Sequence, residues 1–251
     1  MINIGSETVL LYFLMLCRIG SCLMFMPGFS SPRIAPQIRM LLAIAATLAL
    51  SPILMPTVQA ALTKTGQALP IQLMVTEMTI GAMIGLMGRF FYAALEFMTT
   101  AVASSIGFGN LPGTPIEHTD PIPPLSSVLT ITATVLFFIT DMHLEVMRAL
   151  VVSYATIPMN ESLAADFALA QLGDTLAGAF RMTLQICSPF IIYAIAINFL
   201  FGLANKLTPQ IAIYFISVPF VMVGGLLIIY FTIADFMRLF MAGFMNWLTN
   251  G

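Results

Sequence analysis

The chain has little of what soluble proteins carry on their surfaces. Charged residues fill only 8% of its 251 positions, about a third of the share in an average soluble domain. Nine Lys and Arg stand against eleven Asp and Glu, a net charge of −2. That balance provides no basic field for nucleic acid and no polybasic patch for a membrane surface. Two His and three Cys leave little material for a metal cage, and Cys17, Cys22 and Cys187 show no C-x-x-C spacing. No structural metal, disulfide framework or cofactor is expected. A nucleophile elbow, an H-E-x-x-H helix and a phosphate-binding glycine loop are also missing, so an enzymatic reading has no constellation to stand on.

What is present is apolar, at 59% of all residues. No polar block is long enough to form a soluble domain, and residues 1–251 are expected to form a single membrane-embedded unit of all-α fold. The N-terminus lacks the positive region of a secretory signal and is expected to remain as the first helix. That helix should cover 8–27, interrupted only by Arg18. A second apolar run over 38–55 is expected to end at Pro52 and Pro56, with a polar-leaning loop following to Pro70. The stretch 69–106 keeps helix-forming composition for 38 residues, about 57 Å as one helix against a bilayer core of roughly 30 Å. It must fold back near Gly88 and Arg89 or protrude from the membrane. The stretch 211–248 poses the same problem around Pro219. Apolar runs at 125–140 and 146–154 flank the polar cluster Asp141-Met142-His143-Leu144-Glu145, and an acidic connector with Glu161, Asp166 and Asp174 precedes a run over 176–203 that Pro189 should kink. Basic residues do not gather on one side under any alternation of these spans, which points to a non-standard topology.

Ionisable residues inside apolar segments cost roughly 2.5–3.5 kcal/mol on insertion scales and are therefore functional candidates. Here they are Arg18, Glu77, Glu96, Arg148, Arg181 and Asp235. They serve a proton or ion pathway, or they pair between helices or with a partner chain. Gly81-x-x-x-Gly85, extended by Gly88, forms a small-residue face suited to close helix packing within this chain or with another. Methionines at Met74/Met78, Met83/Met87 and Met237/Met241/Met245 make i, i+4 stripes that either pack or provide a deformable seal. His143 reads as a polar helix-end residue rather than a ligand.

The strongest local anomaly is 107–124, where five of the fifteen prolines fall together with three glycines. No helix runs through such a segment. Irregular backbone at membrane depth is tolerated only when buried in protein or lining a water-filled cavity. The segment is thus a gating element if it lies at that depth, and a plain loop if it lies outside.

The order of these features resembles the FliR family of flagellar biosynthetic proteins and their virulence-secretion counterparts. The likeness rests on Arg18 through Pro27, then Pro36-Gln37-Ile38-Arg39 with its apolar run to Pro52. It continues with Glu77-x-x-Ile80-Gly81-x-x-x-Gly85, and with Phe137-Phe138-x-x-x-x-His143 on to Ser153 and Pro158. It closes with Asn205-Lys206-x-x-Pro209-Gln210 and the tail around Pro219. One departure is Leu95-Glu96, where the family pattern has Gly-Glu; it affects local packing. The resemblance implies a non-enzymatic subunit of a type III export gate in the bacterial inner membrane, at the flagellar basal body. Such a subunit passes unfolded proteins and assembles with sister membrane proteins into a raised, cone-shaped complex. It further implies that Phe108, Asn110, Leu111, Pro112, Ile116, Pro121 and Ile122 belong to a pore-closing plug. Glu77, Gly81 and Gly85, with Arg39 and Pro209, would then serve helix packing and assembly. Whether the gate belongs to flagella or to a virulence injectisome stays open, and a stand-alone solute or ion transporter is the alternative of a different class.

Overall fold

The computed structural model describes residues 5–31, 34–64, 69–108, 123–157, 165–207 and 213–250. These form seven α-helices and, among the described residues, no strand. In chain order they are α1 (Ser6–Phe25), α2 (Pro36–Lys64), α3 (Pro70–Ser105), α4 (Pro124–Ile139), α5 (Met142–Thr156), α6 (Ala165–Leu207) and α7 (Ile213–Asn250). Five of them are long and apolar enough to cross a membrane, and α4 with α5 makes a sixth candidate bent by 68°.

Three helices, α2, α5 and α6, are longer than the apolar runs suggested. The expected stop at Pro52 and Pro56 is absent, and α2 continues through both. Proline at position i removes the hydrogen bond that its N–H would give to the carbonyl at i−4. At Pro52 that orphaned acceptor is the Leu48 carbonyl, and the Ser51 hydroxyl donates to it at 2.8 Å. The same device recurs in α6, where Ser188 precedes Pro189 and donates to the Gln185 carbonyl at 2.8 Å. Serine thus satisfies the acceptor that proline leaves bare, which is how helices in a water-free solvent carry proline.

Of the two courses open to it, the stretch 69–106 does not fold back at Gly88; α3 is one helix of 36 residues, about 54 Å long. The expected acidic connector is also corrected: Asp166 and Asp174 do not belong to it, because α6 begins at Ala165 and runs for 43 residues. The break between α4 and α5 falls where the polar cluster begins. Asp141 takes a left-handed conformation with φ 57°, which lets the chain turn sharply between two helices.

Two compact units emerge. The first comprises Met1–Phe90, Phe137–Leu176 and Leu248–Gly251. Its core is α1 against α2, with α5 on α2, built on Leu14, Met15, Ile19, Leu54, Val58 and Leu150. The second comprises Phe91–Leu136 and Ala177–Trp247. There Tyr92 meets Phe240 and Phe244 edge to face, with ring centroids 5.7 and 6.2 Å apart. Hydroxyls join α3 to α4 in this unit, with Thr99 and Ser126 2.7 Å apart and the Tyr92 hydroxyl donating to the Ala133 carbonyl. Polar ties of this kind matter because lipid is as apolar as leucine and gives helices no hydrophobic reason to associate.

Candidate functional site

In the first unit the residues of greatest chemical interest meet around Arg18. This guanidinium sits at the middle of α1 with 0% exposure, and Glu77 of α3 faces it with 1%. Its Nε donates to Glu77 Oε2 and one Nη to Oε1, both at 2.7 Å, a two-pronged carboxylate clamp. The same Nη also donates to the Ile157 carbonyl at 3.0 Å, and the other donates to the Ser153 carbonyl at 3.1 Å and its hydroxyl at 3.4 Å. All five N–H donors of the fork are therefore occupied. The guanidinium carbon lies 4.1 Å from the centre of the Tyr154 ring, a cation–π contact.

Each partner is presented for a local reason. Ser153 and Ile157 close α5, where carbonyls lack intrahelical donors and the helix dipole favours a cation. Glu77 reaches Arg18 because α3 approaches α1 very closely. A side chain at Gly81 would run into the Arg18 carbonyl oxygen and the Ser21 hydroxyl. A Cβ at Gly85 would lie 2.5 Å from the Cys22 carbonyl oxygen, and one at Gly88 would lie 2.6 Å from the Met26 sulfur. The close-packed partner of this glycine face is α1 of the same chain. The arrangement joins α1, α3 and α5 through one buried charge pair and offers no reacting group.

The second unit contains the start of the proline-glycine segment. Helix α3 stops in a Schellman turn: Phe108 N–H donates to the Ala103 carbonyl at 2.8 Å and Gly107 N–H to the Ser104 carbonyl at 3.2 Å. Gly107 has the φ of +90° that this turn demands. Ile106 is fully buried, and a Cβ on Gly225 of α7 would lie 2.8 Å from its own Cβ. Beside this turn lies a cleft of about 320 Å³, bordered by Ser104, Gly107, Asn198, Phe201, Asn205 and Ser217. Phe108 is half-buried. Asn110, Leu111, Pro112, Ile116, Pro121 and Ile122 lie outside the described residues, as does Pro209. Pro123 is buried and accepts from Ser127 N–H as α4 begins.

The other candidates do not join these groups. Arg39 binds the connector before α2, donating to the Ile34 carbonyl at 3.2 Å and the Ser31 carbonyl at 2.5 Å. Arg148 pairs with Glu145 one turn away at 2.8 Å, with its side chain 74% exposed. Glu77 and Glu96 stand on one uninterrupted helix, so no hairpin pairs them. His143 stacks obliquely against Phe138 with centroids 5.6 Å apart, and its Nδ1 is buried without a hydrogen-bond partner among the described residues. Met83, Met87, Met237 and Met241 are buried, whereas Met78 is 52% exposed. Sequence reasoning did not single out Ser153, Tyr154 and Ile157 as partners of Arg18. An arginine inside an apolar helix signals that acceptors exist somewhere, but nothing in the pattern says which helix end provides them.

Comparison with known proteins gives a concordant result. Residues 9–247 match the family described as bacterial export proteins, family 1. The chain is similar to the flagellar biosynthetic protein FliR of Caulobacter vibrioides, 26% identical over 218 residues covering 85% of this chain and 84% of that protein. FliR of Escherichia coli K12 is 26% identical over 234 residues, with 90% and 87% covered. FliR of Pectobacterium carotovorum is 23% identical over 221 residues, with 86% and 81% covered.

Proposed function

The chain belongs to the bacterial export proteins, family 1, and from that membership we propose that it is a subunit of the flagellar protein export apparatus in the bacterial inner membrane. The observation that carries this reading is a family match running from residue 9 to residue 247, across all seven helices. Five helices with the length and composition of membrane spans support the location.

In this reading the chain forms part of the channel wall for unfolded flagellar proteins, alongside sister membrane subunits. It acts without chemistry of its own, holding a passage and controlling when it opens. The segment 107–124 is the closing element. Its prolines keep it from extending either flanking helix, and Phe108, Leu111, Ile116 and Ile122 supply apolar bulk across the lumen. The firm setting of Ile106 and Gly107 against α7 supports this assignment, because a plug needs a fixed root to return to after a substrate has passed.

Two measurements test the reading. Removing the chain from its own bacterium should abolish release of flagellar proteins into the medium, with restoration on re-expression; undiminished release would refute the export assignment. Deleting 110–121 should make the inner membrane leak ions or small solutes when the full set of export membrane proteins is present. Conductance equal to that of the intact complex, at equal complex abundance, would refute the plug.

A further inference from the structure

Helix α7 has a weak ladder at the place where the end of α3 rests on it. Helices bend sharply at proline, at pairs of small residues and where a foreign side chain joins the backbone hydrogen bonds. All three causes fall within 219–225. Pro219 lies inside α7, and Val218 before it has no hydroxyl to serve the carbonyl four places back, unlike Ser51 before Pro52 and Ser188 before Pro189. Gly224 and Gly225 are adjacent, and each lowers helix propensity. Between the proline and the glycines, the Tyr193 hydroxyl of α6 donates to the Val221 carbonyl at 3.1 Å. That carbonyl is the acceptor for Gly225 N–H in a regular helix.

The last residues of α3 are seated on this stretch. Ile106 is fully buried and occupies the space that a side chain at Gly225 would need; a Cβ there would lie 2.8 Å from Ile106 Cβ and 2.9 Å from its Cγ2 and Cδ1. A Cβ on Gly107 would lie 3.3 Å from Met222 Cγ. Gly224 faces the Tyr193 ring in the same way. The turn that carries Ile106 and Gly107 is closed by carbonyls of α3 itself, so it can leave its seat without losing those bonds. Room for movement lies alongside. The cleft of about 320 Å³ has Val218 and Val221 of α7 on one side and Phe201, Gly202 and Asn205 of α6 on the other. Packed interiors leave few voids larger than one water, whereas this one has the volume of about ten.

We propose that α7 bends at 219–225, that the bend carries 217–223 into the cleft, and that it unseats Ile106 and Gly107 and so releases the segment beginning there. Gly225 and Pro219 are then positioning residues of the gate: one sets the resting place of the closing element and the other lets that place move. The inference rests on the reading of 107–124 as the closing element.

Two variants oppose the bend by different routes. Pro219→Ala acts at an exposed position and returns one backbone N–H to the ladder. Gly202→Trp fills the cleft from a site where an added Cβ meets nothing within 4 Å. Each is made in the full-length chain within its own bacterium, and release of flagellar proteins and ion leak are measured at equal abundance of the assembled complex. Pro219→Ala should lower release about two- to tenfold, the population shift that the net worth of one hydrogen bond produces. Gly202→Trp should lower release as well, and in both strains the resting membrane should stay tight. In a chain that also lacks 110–121, neither variant should reduce the leak, because no closing element remains to be released. Parental release from either variant would overturn the hinge, as would a leak reduced in the deletion background as strongly as release is reduced in the intact chain. Should one variant fail to accumulate, the other decides. Failure of the closing-element reading looks different, since the deletion alone then gives no leak, and the hinge falls with it.

Discussion

Replacing Glu77 by alanine isolates the contribution of the buried charge pair. The substitution removes both carboxylate oxygens that bind Arg18 at 2.7 Å and leaves a guanidinium at 0% exposure. The carbonyls of Ser153 and Ile157 and the Tyr154 ring remain, but these are dipoles and a quadrupole facing a full charge. Breaking a buried pair by removing one partner costs about 3–5 kcal/mol. For a chain of this size each kcal/mol lowers the unfolding midpoint by about 2–4 °C, so Glu77→Ala should reduce it by about 6–20 °C. The assay is thermal unfolding of the detergent-solubilised chain, followed by the fluorescence of its single tryptophan, Trp247. The control is the double variant Arg18→Met with Glu77→Leu, which removes the orphaned charge and restores apolar volume. It should unfold above Glu77→Ala, because most of the single-variant loss is the uncompensated guanidinium rather than a missing attraction. A midpoint for Glu77→Ala within about 2 °C of the parent, or a double variant no more stable than the single, would refute the reasoning.

Two other substitutions probe the helices themselves. Gly81→Leu drives a side chain into the Arg18 carbonyl and the Ser21 hydroxyl, both held by the α1 backbone or close to it, so α1 and α3 must separate and the clamp must open. The expected result is loss of monodisperse protein in detergent even without partner subunits, and normal recovery with a parental unfolding midpoint would contradict this packing. Ser51→Ala removes the donor that serves the Leu48 carbonyl beneath Pro52, which should cost about 1 kcal/mol and shift the same midpoint by about 2–4 °C. An unchanged midpoint would mean that the carbonyl finds another donor.

How much of this was legible in the amino-acid order varies with the range of the interaction. The all-α membrane character follows from composition and run length, because a solvent without water leaves helices as the simplest way to satisfy each backbone group within its own segment. The glycine face at Gly81 and Gly85 was legible as a close-packing surface, since a missing side chain is a local fact. Even the passage of α2 through Pro52 has a local explanation in the preceding serine, although proline by itself predicts a stop. The end of α3 belongs to the same group, as Gly107 stands where a Schellman turn requires a positive φ.

The pairing of charges was decided elsewhere. Arg18 and Glu77 are 59 positions apart, and Arg18 and Ser153 are 135 apart; neither separation leaves a periodic trace. In isolation each ionisable residue says only that it needs a partner. The identity of that partner depends on how closely α1, α3 and α5 approach, and that is fixed by glycine contacts and packed methyls acting together. The sequence by itself therefore determined the solvent, the helices and the need for compensation of buried charge, all of which arise from interactions within a turn or two of the chain. Only the tertiary structure decided which charges compensate each other within the chain and which, like Asp235 and Arg238, are left facing outward, because those outcomes depend on distances through space.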